Sequence, residues 1–448
     1  MSETVLPATT SQRIVEVDTL RGFALFGILI VNVTVATSLW SFGGTTDEPR
    51  LGFDGPFDHV VTAVVEALFS GRFYLLFALL FGYSFTLQIA AAQRAGISAN
   101  PRLLRRCAAL MVIGSAHVYL LWIGDILTLY AFLCLFLILL RWLEPRTALI
   151  GGAVLYLAWS MWAFLPGSGG IGELAELLDV VALHEGYTGS FGDTFTMQAS
   201  EALWWIILIW FTQGVPALGM FLIGMAAGKR KLFTEPELMR RWAPRVLIGA
   251  LVVGLPVSAV TFSSGMSWLE PPSYWDGIQE VVNPFMTFAY IAGIIMLTRS
   301  TRTARYVALL APAGRMAASN YIMQSVVLMV IYTGYGFALA DDVPPAGVIG
   351  IALVTFGAQL GFSRWWLRGH AYGPEEWVLR AATYLSVPAW RRPECVAVQR
   401  VQPGPGRCSR PTAKPNRLWP LMMSIRAPAA RGCPIVVRRP CSRNTPRR

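Results

Sequence analysis

Charge is what this 448-residue chain has least of: Asp, Glu, Lys and Arg make up 14% of it, against 54% apolar residues. With a mean hydropathy of +0.51, that shortage excludes an ordinary soluble domain. Histidine is rarer still, with four in the chain, and the six cysteines follow no zinc or redox spacing and imply no disulfide framework. The signatures of soluble enzymes are missing as well. There is no P-loop, no Cys-x-x-Cys, no HExxH and no Gly-x-Ser-x-Gly, so neither a metal site nor a familiar cofactor is implied.

The net charge of +11 is misleading, because residues 391–448 hold thirteen Arg and one Lys against a single Glu. Without that segment the chain carries −2, which leaves no basis for a nucleic-acid partner. The segment is rich in Arg, Pro and Cys and lacks periodicity, so it is expected to be a disordered basic tail. Residues 1–390 form the other unit.

What the chain has in abundance is apolar runs of membrane length. About ten are found, near 20–40, 73–92, 103–121, 126–142, 148–165, 203–227, 246–262, 281–297, 316–335 and 348–367. Loop charge tests the count independently. Segments 93–106, 141–147, 229–245 and 299–315 carry sixteen Lys or Arg and three Glu, whereas 41–58, 122–125, 166–201, 265–280 and 339–344 carry sixteen Asp or Glu and one Arg. A missed span would scramble that segregation. The positive-inside rule makes the first set cytoplasmic and predicts both termini inside. The expected fold is therefore an all-α, polytopic transmembrane helix bundle. The N-terminal residues do not read as a cleaved signal peptide. Residues 57–70 place Phe57, Val60, Val61, Val64, Val65 and Leu68 at helical spacing, which predicts an amphipathic helix on the outer surface.

Polar residues inside such runs are functional hypotheses by default. His117 is the one histidine within a run, and Asp125 follows across a short link. The carboxylate can orient the imidazole and raise its basicity; alternatively the two merely cap their helix ends. Arg72 opens the second run, either as a snorkelling anchor or as a binder of oxyanions. Asp18 and Arg21 lie three apart on one face of the first run, and Asn32 follows about three turns after Arg21. In the ninth run Arg315 precedes Asn320 and Gln324, which share a face and either stitch helices together or line a polar cavity.

These residues carry a resemblance. Asp18-Thr19-Leu20-Arg21-Gly22 running to Asn32, Gly114 with His117, and Gly124-Asp125-Ile126-Leu127 with Tyr130 are similar to the YeiB-type family of bacterial inner-membrane proteins, a domain of unknown function. Gly314-Arg315-Met316 with Asn320-Tyr321 and Gln324-Ser325, and Gly373-Pro374 with Glu376-Trp377 and Arg380, extend the likeness over about residues 12–386. The chain departs from the family pattern at Ala318-Ser319, where Leu-Thr is usual, and at Glu375, where Leu is usual. The family is distantly similar to membrane acyltransferases such as heparan-glucosaminide acetyltransferase.

That kinship implies acyl transfer from cytoplasmic acyl-CoA to a lipid or glycan acceptor on the far side. His117 would be base or transient acyl carrier, Asp125 its orienter and Arg72 a stabiliser of negative charge. Arg21 and Arg315 would meet the cosubstrate's phosphates, with Asn32, Asn320 and Gln324 as further binding residues. Two other classes stay open: a secondary transporter with His117 and Asp125 as proton relay, and a non-catalytic membrane protein. The lipid bilayer is the one partner every reading shares.

Overall fold

The computed structural model describes residues 14–38, 53, 55–164 and 180–391, and they are helical almost throughout. The basic tail lies outside the described residues apart from Arg391. The helices that matter for the site are α1 (Val15–Ala36), α2 (Pro56–Leu68), α3 (Phe73–Arg94), α4 (Ala99–Leu120), α5 (Leu127–Leu140) and α6 (Pro145–Ser160). They are followed by α7 (Val180–Thr188), α8 (Phe191–Lys229), α9 (Pro236–Gly265), α10 (Trp275–Arg299), α11 (Ala311–Arg315), α12 (Ala317–Tyr332), α13 (Pro345–Gly369) and α14 (Pro374–Tyr384).

Eight described helices are long and apolar enough to cross a membrane, and α5 and α12 are two further apolar helices of shorter length. Together they fall on the ten runs expected from hydropathy. The molecule is an all-α polytopic bundle, apolar outside as well as inside. Val354 is 74% exposed, Leu139 73% and Ile248 65%, while Leu20 and Leu75 are fully buried. Such a surface suits lipid rather than water.

With lipid outside, burial of apolar area cannot by itself hold helices together, so close backbone contact and buried hydrogen bonds must. The seam between α3 and α8 shows the first. A Cβ at Gly82 would stand 2.1 Å from the Phe221 carbonyl oxygen, and one at Gly224 2.0 Å from that of Leu79. Any side chain there would drive the two helices apart. The second is visible between α12 and α13, where Asn320 Nδ2 donates to Ser363 Oγ (2.9 Å) and Gln324 Nε2 to Gln359 Oε1 (3.0 Å), all four side chains being buried.

The amphipathic segment expected near 57–70 is α2, and it packs on α9 and α13. Asp58 accepts from the Ala346 amide at 3.1 Å, which satisfies a free donor in the first turn of α13. At the opposite end of the chain, α14 docks along α4 and against α12. Its Glu376 carboxylate accepts from the Ala318 amide (2.7 Å) and the Ser319 hydroxyl (2.7 Å), while Ser319 Oγ accepts from the Glu375 amide (3.0 Å). Each helix thus caps the other's first turn, a capping box made between helices rather than within one.

Candidate functional site

The link between α4 and α5 is built to bring two side chains back to back. The amides of Leu121 and Trp122 both donate to the His117 carbonyl, at 2.9 and 3.0 Å, and end α4 there. Gly114 lets α5 approach: a Cβ at this position would lie 2.7 Å from the Thr128 nitrogen. The chain turns through Gly124, and Asp125 Oδ2 accepts from the Thr128 amide at 2.7 Å, fixing the first turn of α5. The other oxygen, Oδ1, then lies 2.9 Å from His117 Nδ1.

The far nitrogen of the ring, Nε2, lies 2.8 Å from Ser325 Oγ in α12. A carboxylate only accepts, so the hydrogen between Asp125 and the ring sits on Nδ1. In the neutral ring Nε2 is then the acceptor, and the Ser325 hydroxyl donates to it. Ser325, His117 and Asp125 form a hydroxyl–imidazole–carboxylate chain with the order and spacing of a nucleophile, its base and the base's orienter. All three are buried, at 3%, 2% and 1% exposure. Tyr321 holds the link from the α12 side: its hydroxyl accepts from the Ile126 amide and donates to the Gly124 carbonyl, both at 3.4 Å. Its ring centroid is 5.2 Å from that of His117.

Asn320 and Gln324 face other partners. Asn320 Nδ2 donates to Ala313 O (3.1 Å) and Ser363 Oγ (2.9 Å), and Gln324 Nε2 donates to Gln359 Oε1 (3.0 Å) and Leu25 O (3.4 Å). Gln359 returns a bond to Asn320 O at 3.0 Å. The two carboxamides therefore join α12 to α1, α11 and α13. Arg21 pairs with Asp18 at 3.4 Å and donates to the Ser84 hydroxyl. The segment bearing Arg315 packs along the first turns of α1, where Gly22 and Gly314 allow backbone contact. Arg21 and Arg315 thus occupy one end of the bundle. Asn32 is half-buried in α1, and no described hydrogen bond ties it to the His117 chain.

Arg72 is fully buried but elsewhere. Its Nη1 donates to the carbonyls of Glu66 (2.9 Å) and Ser70 (3.0 Å), closing the corner between α2 and α3. Its own carbonyl accepts from Thr287 Oγ1 at 3.0 Å. Among the described residues no hydrogen bond or ion pair joins it to His117 or Asp125. The structure thus brings His117 and Asp125 together with Ser325 and places Arg72 apart from them.

Ser325 escapes sequence reasoning because a lone serine in an apolar helix ordinarily bonds its own backbone or glues helices. One signal was available, its place beside Gln324 in the motif of the ninth run. Glu376 likewise reveals nothing of its cap until α12 is beside it. Burial holds its carboxyl above the ordinary carboxylate range despite the donors around it. Glu375 is raised too, by burial and then by the neighbouring Glu376.

Comparison with known proteins gives a family and no activity. Residues 227–386 match the family described as "Protein of unknown function (DUF418)". The chain is 31% identical over 397 residues to the "Uncharacterized protein YxaH" of Bacillus subtilis (strain 168), covering 85% of this chain and 96% of that protein. It is 25% identical over 391 residues to the "Uncharacterized protein YeiB" of Escherichia coli (strain K12), covering 83% and 96%. An "Uncharacterized 39.9 kDa protein in amylase 3'region" of Bacillus acidopullulyticus is 25% identical over 396 residues, covering 84% and 96%. No solved structure matches.

Proposed function

The chain belongs to the family of uncharacterized proteins that includes YxaH and YeiB, and from that premise we propose that it is an acyltransferase of the bacterial cell (inner) membrane. One observation carries the reading: a Ser–His–Asp chain at hydrogen-bond distances inside a membrane bundle. Its donor would be an acyl-CoA, and its acceptor a hydroxyl of a lipid or glycan.

Ser325 Oγ attacks the thioester carbonyl while His117 Nε2 takes its proton. The C–S bond breaks, and His117 returns the proton to the departing sulfur, leaving an ester on Ser325. The acceptor hydroxyl then attacks that ester, again losing its proton to His117, and Ser325 recovers it as its C–O bond breaks. Asp125 keeps the ring in the tautomer with Nδ1 protonated and stabilises the imidazolium that forms. Arg21 and Arg315, which flank the contact between the start of α1 and the segment before α12, would meet the phosphates of the donor. Arg72 has a positioning role at the corner of α2 and α3.

Purified protein incubated with labelled acetyl-CoA tests this. Ser325→Ala should abolish the labelled protein species, and His117→Gln should slow its formation by about 10²–10⁴-fold, the usual worth of a general base. Undiminished labelling in either variant would sink the proposal.

The burial of all three side chains favours a second reading, in which they form a structural clamp between α4, its link and α12. On that reading Ser325→Ala lowers the melting temperature and no labelled species forms in the wild-type protein. The two readings therefore separate on the wild-type protein alone.

A further inference from the structure

Around the docking of α14 on α4 the structure gathers arginines without carboxylates. Arg105 Nε donates to the Thr383 carbonyl at 3.0 Å. Arg102 stacks over Tyr384 at 4.8 Å, and Arg380 over Tyr384 at 5.1 Å and Tyr372 at 4.5 Å. Arg106, next along α4, is within electrostatic reach of both Tyr384 and Arg21. Among the described residues no carboxylate lies within salt-bridge distance of Arg102, Arg105, Arg106 or Arg380.

Two of these groups are also short of hydrogen-bond acceptors. The Nε of Arg106 and the Nε of Arg380 are buried and bond nothing. A guanidinium does not lose its proton, so burial cannot neutralise it. Like charges facing one another, with shielded donors unsatisfied, are costly unless an anion completes them. Of the carboxylates nearby, Asp18 pairs with Arg21, Glu376 caps α12, and Glu375 lies towards His117. A rim of arginine needed only to orient the chain in the membrane would keep its guanidinium groups in water.

We infer that Arg106 and Arg380, with Arg21, Arg102 and Tyr384 beside them, form a binding site for a phosphate-bearing ligand at the end of α4 that loop charge assigns to the cytoplasm. Forked guanidinium groups match phosphate oxygens, and the tyrosine ring holds two of them in place. The ligand is either a soluble phosphate compound or the headgroup of an anionic lipid. The site does not depend on the acyl-transfer reading, since it requires binding and no chemistry.

The full-length protein, purified in detergent, can be titrated with coenzyme A, inorganic phosphate and phosphatidylglycerol while its melting temperature is followed. At least one of the three should stabilise it; coenzyme A or phosphate would identify a soluble ligand, and phosphatidylglycerol alone a headgroup. Apparent affinity should fall about tenfold or more in Arg106→Gln and in Arg380→Gln, the loss of one charge-assisted contact. Arg106→Lys, which keeps the charge without the fork, should lose part of it and guards against misfolding of the glutamine variant. Arg240→Gln, on the exposed start of α9, should match the wild type. Failure of all three probes to stabilise the protein, or an equal loss in Arg240→Gln, would overturn the site.

Discussion

At the scale of the residue, the proposed acyl transfer turns on which nitrogen of His117 carries the proton. Asp125 is committed through both oxygens, one to the Thr128 amide and one to the ring. An asparagine could still accept from Thr128, but it would then offer an N–H to the ring. That forces the hydrogen onto Nε2, where it can no longer accept from Ser325. Asp125→Asn should therefore cost on the order of 10³–10⁴-fold in acyl-enzyme formation, while the melting temperature moves little. Equal labelling in that variant would remove the relay from the mechanism. The pair itself was legible in the sequence because eight residues and a short link separate its members. Ser325 lies 208 residues from His117, and only the packing of α12 against the link makes them neighbours.

At the scale of the element, hydropathy located the helices but not their lengths. Helix α8 runs from Phe191 to Lys229, well beyond the run at 203–227, because a capping box between Ser190 and Asp193 starts it early. Conversely α5 has 14 residues and α12 has 16, about 21 and 24 Å of helix, because α5 ends at Leu140 and α12 at Tyr332, two and three residues before their runs do. The cap between α14 and α12 makes its own prediction. Removing the carboxylate in Glu376→Ala should destabilise the bundle by about 1 kcal/mol, the usual loss for a cap. Glu376→Gln reveals the sign of its titration. A carboxyl raised by burial holds its proton more tightly folded than unfolded, so its contribution is full below the ordinary range and is lost as pH rises through its folded value. Melting of the wild-type protein between pH 4 and 7 should show that decline. Glu376→Gln should flatten it in part, leaving the slope due to Glu375, which is raised as well. A slope unchanged by the substitution would mean the cap is not the titrating group.

At the scale of the whole molecule, α4 relates the two candidate sites. Arg106 and His117 are eleven residues apart on one helix, close to three turns, so they share a face and lie about 16 Å apart. The docked α14 runs the same course, with Tyr384 beside Arg102 and Glu375 within electrostatic reach of His117. A ligand held by its phosphates at one end would have to extend along this pair of helices to reach Ser325. That geometry gives meaning to the orientation, which rests on loop charge alone and which helix packing does not specify. On the cytoplasmic side, where loop charge assigns them, the arginines would meet a cytoplasmic donor; were the bundle inverted, they would face the outer side. Reporter fusions decide it. An alkaline phosphatase joined after Ser267, between α9 and α10, should be active, and one joined after Lys231, between α8 and α9, should be inactive. The reverse pattern would place the arginines outside, where a soluble cytoplasmic donor could not reach them, and would leave an outer-leaflet headgroup or a soluble phosphate on that side as their ligand.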